Sequence, residues 1–423
     1  MSIKDAILNQ KNELERFSDK LFVERDVQLP DLTTDMIKVI TGPRRSGKSY
    51  FAIHALQKEK HFGYVNFDDE ALVSVVDYDD IVYALDQVYH QPKLIFMDEI
   101  QNLPRWELFV NRLQRQGYQL IISGSNANLL SQELSTHLTG RHLNIFIFPF
   151  SFREYLRLEK GELTGSKIQA KFNEYLNKGG FPEPLVKGLD QRDYLKTLLE
   201  SIIYKDIIRR YKIRAVGRIA EMAKFITSNS AQLLSYRKLA DLSGLKSEHT
   251  IAKYLGYFKE CFLFFETSAF SFKVRRQVKS PKKIFVIDNG YLTAHGFQVF
   301  ENRGVLFENI VAIELKKKAL KGELDFYYYK TSQGYEVDFL IRENTHITQL
   351  IQVSCQMNDG KTREREIRAL LHAGKELNCE NLLIISDEPS KKETIEWFGI
   401  KRTVSIIPIW DWLLKKHDSS VSS

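Results

Sequence analysis

At 423 residues the chain is too long for one ordinary hydrophobic core, so two or three domains are expected. Its 43% hydrophobic content is that of a globular protein, and no apolar run approaches the ~20 residues that span a bilayer. Lys and Arg total 61 against 54 for Asp and Glu, a net charge of +7, so any contact with nucleic acid has to come from local clusters.

Met1 to Asp5 carries no signal-peptide pattern. Cys261, Cys355 and Cys379 lie far apart and lack C-x-x-C spacing, which argues against structural zinc and fits a reducing cytoplasm. A cytoplasmic protein without a membrane partner is the expectation.

In chain order, residues 1–30 read as an amphipathic helix, with Ile7, Leu8, Leu14, Phe17 and Leu21 on a helical period. Met36 to Ile40 reads as a buried strand and Tyr50 to Leu56 as the first turns of a helix. Between them stands Gly42-Pro43-Arg44-Arg45-Ser46-Gly47-Lys48-Ser49, the G-x-x-x-x-G-K-S phosphate-binding loop. Gly42 and Gly47 let the backbone turn tightly and present N–H groups to phosphate oxygens. The helix start adds its positive dipole end. Lys48 reaches the β- and γ-phosphates of ATP, and Ser49 puts a hydroxyl on Mg²⁺.

His61 to Phe67 reads as a second strand, running into Asp68-Asp69-Glu70. That acidic cluster faces the ligand crevice of an open α/β sheet or is a solvated loop. Leu94-Ile95-Phe96-Met97-Asp98-Glu99 is the Walker B pattern. Asp98 holds Mg²⁺, and Glu99 polarises the attacking water as general base. Tyr118 to Asn126 is another buried strand. Asn126 or Ser125 at its end suits a contact to the γ-phosphate or the water, and a helix cap is the plain alternative. Arg141, before the apolar strand Leu143 to Phe148, is open to three roles: a finger on a neighbouring subunit's γ-phosphate, a sensor in its own subunit, or a surface arginine.

These segments, with Asn66-Phe67-Asp68-Asp69-Glu70, Ser123-Gly124-Ser125-Asn126-Ala127, Thr139-Gly140-Arg141 and Pro149-Phe150-Ser151-Phe152-Arg153-Glu154-Tyr155, resemble one prokaryotic group. These are AAA-type ATP-binding proteins with a C-terminal domain of unknown function, of the DUF4143 type. Gly179-Gly180-Phe181-Pro182-Glu183 and Tyr204 to Tyr211 look like that family's linker helices, so the resemblance covers most of the chain. It implies an AAA-type P-loop fold and ATP binding.

Residues 155–230 read as helices. Leu233 to Leu245 reads as helix, turn and helix start, and Ser247 to Leu255 as a second helix in the position of a recognition helix. Strands at Phe262–Glu266 and Lys283–Ile287 flank Lys273-Val274-Arg275-Arg276-Gln277-Val278-Lys279-Ser280-Pro281-Lys282-Lys283, which has six basic residues and no acid. This is a winged-helix pattern with a basic wing. It suits salt-sensitive contact with double-stranded DNA, or it serves only a protein partner or self-association.

In the last third, Glu308 on a helix, Asp338 on a strand and Gln352-Val353-Ser354 on the next strand follow the PD-(D/E)XK nuclease arrangement. Gln352 still offers a metal a carbonyl oxygen, but Ser354 cannot replace the lysine's charge. Lys361 or Lys375 is left to supply that charge. A structural or binding remnant is therefore expected rather than an active nuclease.

The expected organisation is a helix at 1–30, an α/β AAA-type P-loop ATPase domain at 31–155 and a helical linker at 156–225. A winged helix-turn-helix at 226–290, a small nuclease-like α/β domain at 291–415 and a polar tail at 416–423 follow.

Overall fold

The computed structural model describes residues 2–17, 21–59, 61–73, 75–126, 141–245, 247–295, 303–397 and 399–415. The tail at 416–423 and the motif residues Ala127, Thr139 and Gly140 lie outside the described residues. The chain divides into two compact units, Met1–Pro149 with Gly256–Phe262, and Phe150–Leu255 with Leu263–Ser423.

In the first unit five parallel strands form one sheet: β1 (Ile37–Thr41), β2 (Gly63–Asn66), β3 (Leu94–Asp98), β4 (Gln119–Gly124) and β5 (His142–Phe146). Their order is β2-β3-β4-β1-β5. Every residue of β1 and β3 is buried, Lys38 and Thr41 of β1 included, as strands inside a parallel sheet are covered on both faces. Helices α1 (Ile3–Glu15), α2 (Lys48–Leu56), α3 (Asp79–Tyr89) and α4 (Trp106–Arg115) belong to this unit. The order sets β4 between β1, which leads into the phosphate loop, and β3, which ends in Asp98. The carboxyl ends of all three strands therefore share one edge.

The N-terminal helix is half as long as its periodicity implies. A capping box between Ser2 and Asp5 starts it, and it ends at Glu15. Ile7 lies in the core and Gln10 bonds the backbone of Asn66, but Leu8 and Leu21 are exposed, and residues 21–36 form no helix. Hydrophobic spacing alone overran a segment whose later residues pack as irregular chain.

The second unit opens with helices α5 (Phe152–Leu156), α6 (Gly165–Lys178), α7 (Pro182–Lys187) and α8 (Gln191–Ser201). An eight-residue π-helix, Ile202–Arg209, continues α8, and α9 (Val216–Ser228) follows. The Gly179-Gly180 pair has a packing reason. Asp288 accepts hydrogen bonds from the Gly180 amide at 2.7 Å and the Gly290 amide at 2.8 Å. A Cβ on Gly179 would collide with that carboxylate, and one on Gly180 with the Phe150 carbonyl.

Next come β6 (Gln232–Leu233), α10 (Tyr236–Ser243) and α11 (Glu248–Glu260), then β7 (Phe264–Ser268), α12 (Val274–Lys279) and β8 (Lys282–Val286). The three strands pair antiparallel in the order β6-β8-β7. Ser235 caps α10 and Gly244, with φ 64°, ends it. The basic stretch is not an extended wing: most of it winds into α12.

The last part begins with α13 (Asn289–His295) and α14 (Arg303–Leu320). Strands β9 (Asp325–Lys330), β10 (Glu336–Glu343) and β11 (His346–Val353) then form an antiparallel meander. After α15 (Gly360–Glu376), β12 (Leu382–Ser386) and β14 (Ile400–Pro408) continue the sheet in parallel, with β13 (Lys391–Trp397) antiparallel on the edge. Helix α16 (Ile409–Leu414) closes the chain.

Candidate functional site

The phosphate loop joins β1 to α2. Gly47 caps α2 with φ 95°, and Gly42, at φ 153°, passes so close to Ile147 that any Cβ would strike its carbonyl. Arg45 is exposed and also adopts a positive φ of 66°. Lys48 is only 4% exposed, and its Nζ donates to the carbonyls of Gly42 at 3.2 Å and Pro43 at 3.0 Å. The ammonium is thus held over the loop it serves. Thr41 Oγ1 and Ser46 Oγ are buried without a hydrogen-bond partner among the described residues. A glycine cradle with unspent hydroxyls beside a buried ammonium fits a polyphosphate.

Asp98 is buried at the end of β3. Ser123 and Ser49 both hydrogen-bond its carboxylate, and the Tyr64 hydroxyl lies 3.4 Å from it. Burial, then the neighbouring Glu99, push its carboxyl above the ordinary range, against the opposing pull of Ser123, Ser49 and Lys48. Glu99 has the opposite balance. Burial raises its carboxyl, but Lys48, Gln101, Arg44 and Ser125 together hold it below the ordinary value. Its backbone sits at φ 50°, an uncommon conformation for a residue with a side chain. Ser125 donates to Glu99 Oε2 at 3.2 Å, and Gln101 donates to the same oxygen.

Lys48, Ser49, Asp98, Glu99 and Ser125 are therefore brought together, and Asn126, buried two residues past the end of β4, follows Ser125 in the chain. Three contributors escaped sequence reasoning. Ser123 is visible in the sequence only as the first residue of the Ser123-to-Ala127 motif, with no role attached to it. Tyr64 looked like strand filling. Arg25 was assigned to the N-terminal helix; its Nη1 donates to the Ser46 carbonyl at 3.0 Å, and its Nη2 donates to the Phe148 carbonyl.

Arg141 is placed elsewhere. Its carbonyl accepts from the Ile37 amide, at the start of β1, whereas the phosphate loop follows the end of that strand. At about 3.3 Å per residue the two ends are about 13 Å apart. Arg141 is exposed at that end of the sheet.

In the second unit Glu308, Asp338 and Gln352 do converge, but around a cation of the chain itself. Lys283 Nζ lies 2.6 Å from Glu308 Oε1, 3.0 Å from Glu336 Oε1 and 3.6 Å from Asp338 Oδ1. Lys283, the last cation of the basic stretch, points inward and leaves five. Neither Lys361 nor Lys375 supplies this charge. Among the described residues no group of three or more His, Cys, Asp or Glu is placed to hold a metal ion. The remaining stretch is exposed at Lys273, Arg275, Arg276 and Lys279. Phe272, Val274 and Val278 beside them are exposed too. Among the described residues no helix is long and apolar enough to cross a membrane.

A family model described as an AAA domain matches residues 34–156. Two domains of unknown function match residues 169–300 (DUF8612) and 303–411 (DUF4143). An uncharacterized protein of Methanocaldococcus jannaschii is 32% identical over 415 residues, spanning 93% of this chain and 91% of that protein. The chain belongs to the prokaryotic AAA-type family that carries a DUF4143 domain. An uncharacterized Haemophilus influenzae protein, 31% identical over 414 residues, spans 93% of this chain and 98% of its own length. Among solved structures, a Walker-type ATPase of Pyrococcus abyssi matches with a TM-score of 0.42 and 15% identity, over 68% of this chain and 95% of that one. The AAA-domain match and the chain's own strand order give the DUF4143-bearing AAA chain a P-loop α/β fold that supports ATP binding, with a separate C-terminal sheet.

Proposed function

We propose that this AAA-type protein hydrolyses ATP with Mg²⁺ and uses the cycle to reposition a DNA-contacting module in its second unit. The observation that carries the hydrolytic half is the convergence of Lys48, Ser49, Asp98 and Glu99 at one sheet edge. Lys48 neutralises the β- and γ-phosphates, with the backbone of Gly42 to Gly47 around them. Ser49 and Asp98 would hold Mg²⁺, which would supply positive charge to the phosphate oxygens. Glu99, kept ionised by its cationic and hydrogen-bonding neighbours, orients a water and takes its proton. In this reading Asn126 or Ser125 senses the water or the γ-phosphate. Arg141 serves a neighbouring copy.

The module is residues 226–290, read as a winged helix whose connecting segment carries α12. Its four exposed cations favour duplex DNA. Exposed Phe272, Val274 and Val278 favour the second reading, a nucleotide-dependent switch that recruits a protein partner.

The test has two arms. Lys48→Ala abolishes nucleotide binding, whereas Glu99→Gln binds ATP and turns it over far more slowly; normal turnover in Glu99→Gln would sink the base assignment. In the second arm, binding to duplex DNA is titrated with salt. A steep loss of affinity, weakened in Arg275→Glu/Arg276→Glu, supports the DNA module, and no binding at low salt leaves the protein-partner switch.

A further inference from the structure

We infer that the buried acidic cluster of the second unit takes the Lys283 ammonium as its cation in place of a divalent metal, so that the nuclease-like sheet holds no metal-dependent cleavage centre. The inference stands on where Lys283 comes from and on how its neighbours are spent.

Lys283 lies on β8, opposite Leu233 of β6 and Thr267 of β7, and its side chain is 4% exposed. It meets Glu308 from α14 and both Glu336 and Asp338 from β10. The ammonium donates a hydrogen bond to Glu336 at 3.0 Å, and its charge lies 2.6 Å from Glu308 and 3.6 Å from Asp338 as ion pairs. Lys330 adds a second cation 3.4 Å from the other oxygen of Glu336.

The remaining candidate ligands are engaged. Asp338 Oδ2 accepts from the Val353 amide at 2.9 Å. Gln352 Oε1, the oxygen that would face a metal, accepts from the Asp338 amide at 3.3 Å, and its Nε2 donates to Glu366. Glu366 is in turn paired with Arg365 at 2.5 Å. A divalent ion needs about six oxygen ligands, and it would have to enter beside a buried ammonium of like charge. The residues present therefore do not fit a metal. A cavity of about 780 Å³ opens beside the cluster, so solvent access is not what excludes the ion.

The experiment is a Mn²⁺ titration of the full chain without nucleotide, following loss of the free-ion paramagnetic resonance signal. Wild type and Asp338→Asn are expected to bind equally little. Lys283→Met is expected to gain one Mn²⁺ per chain, and Lys283→Met/Asp338→Asn to lose it again. Mn²⁺ bound by wild type and lost in Asp338→Asn would overturn the inference. So would a folded Lys283→Met that binds none, or Mn²⁺-dependent DNA cleavage that Lys283→Met removes. Should Lys283→Met not fold, the wild-type comparison alone decides.

Discussion

The Ser123 hydroxyl bonds the Asp98 carboxylate and accepts from the Glu99 amide at 3.2 Å, so one side chain on β4 fixes both acids that end β3. This follows from the strand order, because β4 stands between β3 and the strand leading into the phosphate loop. Removing the hydroxyl in Ser123→Ala leaves a buried carboxylate short of one donor. Hydrogen bonds to charged groups contribute ~1.5–3 kcal/mol, so ATP turnover is expected to fall by about ten- to a hundredfold. Phosphate release checks the rate, and a nucleotide-binding measurement checks that the loop survives. A rate equal to wild type would make Ser123 a bystander.

Arg25 ties the loop to the chain that follows β5. Its guanidinium bridges the carbonyls of Ser46 and Phe148, which no shorter side chain could do. Arg25→Ala is expected to weaken nucleotide affinity by about tenfold while leaving the melting temperature almost unchanged. Titration with a fluorescent nucleotide reads the first effect and a thermal melt the second. Collapse of both together would mean that Arg25 supports the fold and not the loop.

The Asp288 carboxyl sets a pH dependence. Burial pushes it up to about 7, against the pull of the Gly180 and Gly290 amides. In an unfolded chain an aspartate titrates near ~3.9, so the folded state holds the proton more tightly. The stabilisation from this proton is therefore complete below about pH 4 and is lost as pH rises through about 7. Wild type should melt at lower temperature at pH 8 than at pH 5, and Asp288→Asn should flatten that difference. The same difference in a folded Asp288→Asn would assign it to other groups.

Arg141 is expected to act only between copies. Arg141→Ala and Lys48→Ala should each lack turnover alone. Mixed, the second lends its arginine to the intact loop of the first, and activity returns. A mixture as inactive as its components removes Arg141 from the reaction.

The readable parts of the sequence are those where chemistry dictates residue type at short range. Gly42, Gly47, Lys48 and Ser49 are legible because a phosphate demands tight turns, a cation and a hydroxyl within one loop. Asp98 and Glu99 are legible because acids closing an apolar strand have few other uses. Ser123 and Arg25 were hidden because their roles arise from strand order and from chain folding back over distance. Lys283 was hidden by its company. In a run of cations it reads as one more surface charge, and only the register of β8 turns it inward. Glu308 and Asp338 held the clue, since two buried acids on neighbouring elements require a positive partner. The N-terminal helix ends at Glu15 although the hydrophobic period runs on, because periodicity by itself carries no stop signal.

The Lys283 side chain is a counter-ion that cannot diffuse away. A bound metal is lost by dilution or chelation, whereas a tethered ammonium arrives with the fold at an effective concentration set by its own backbone. Chelators should leave this part of the molecule untouched.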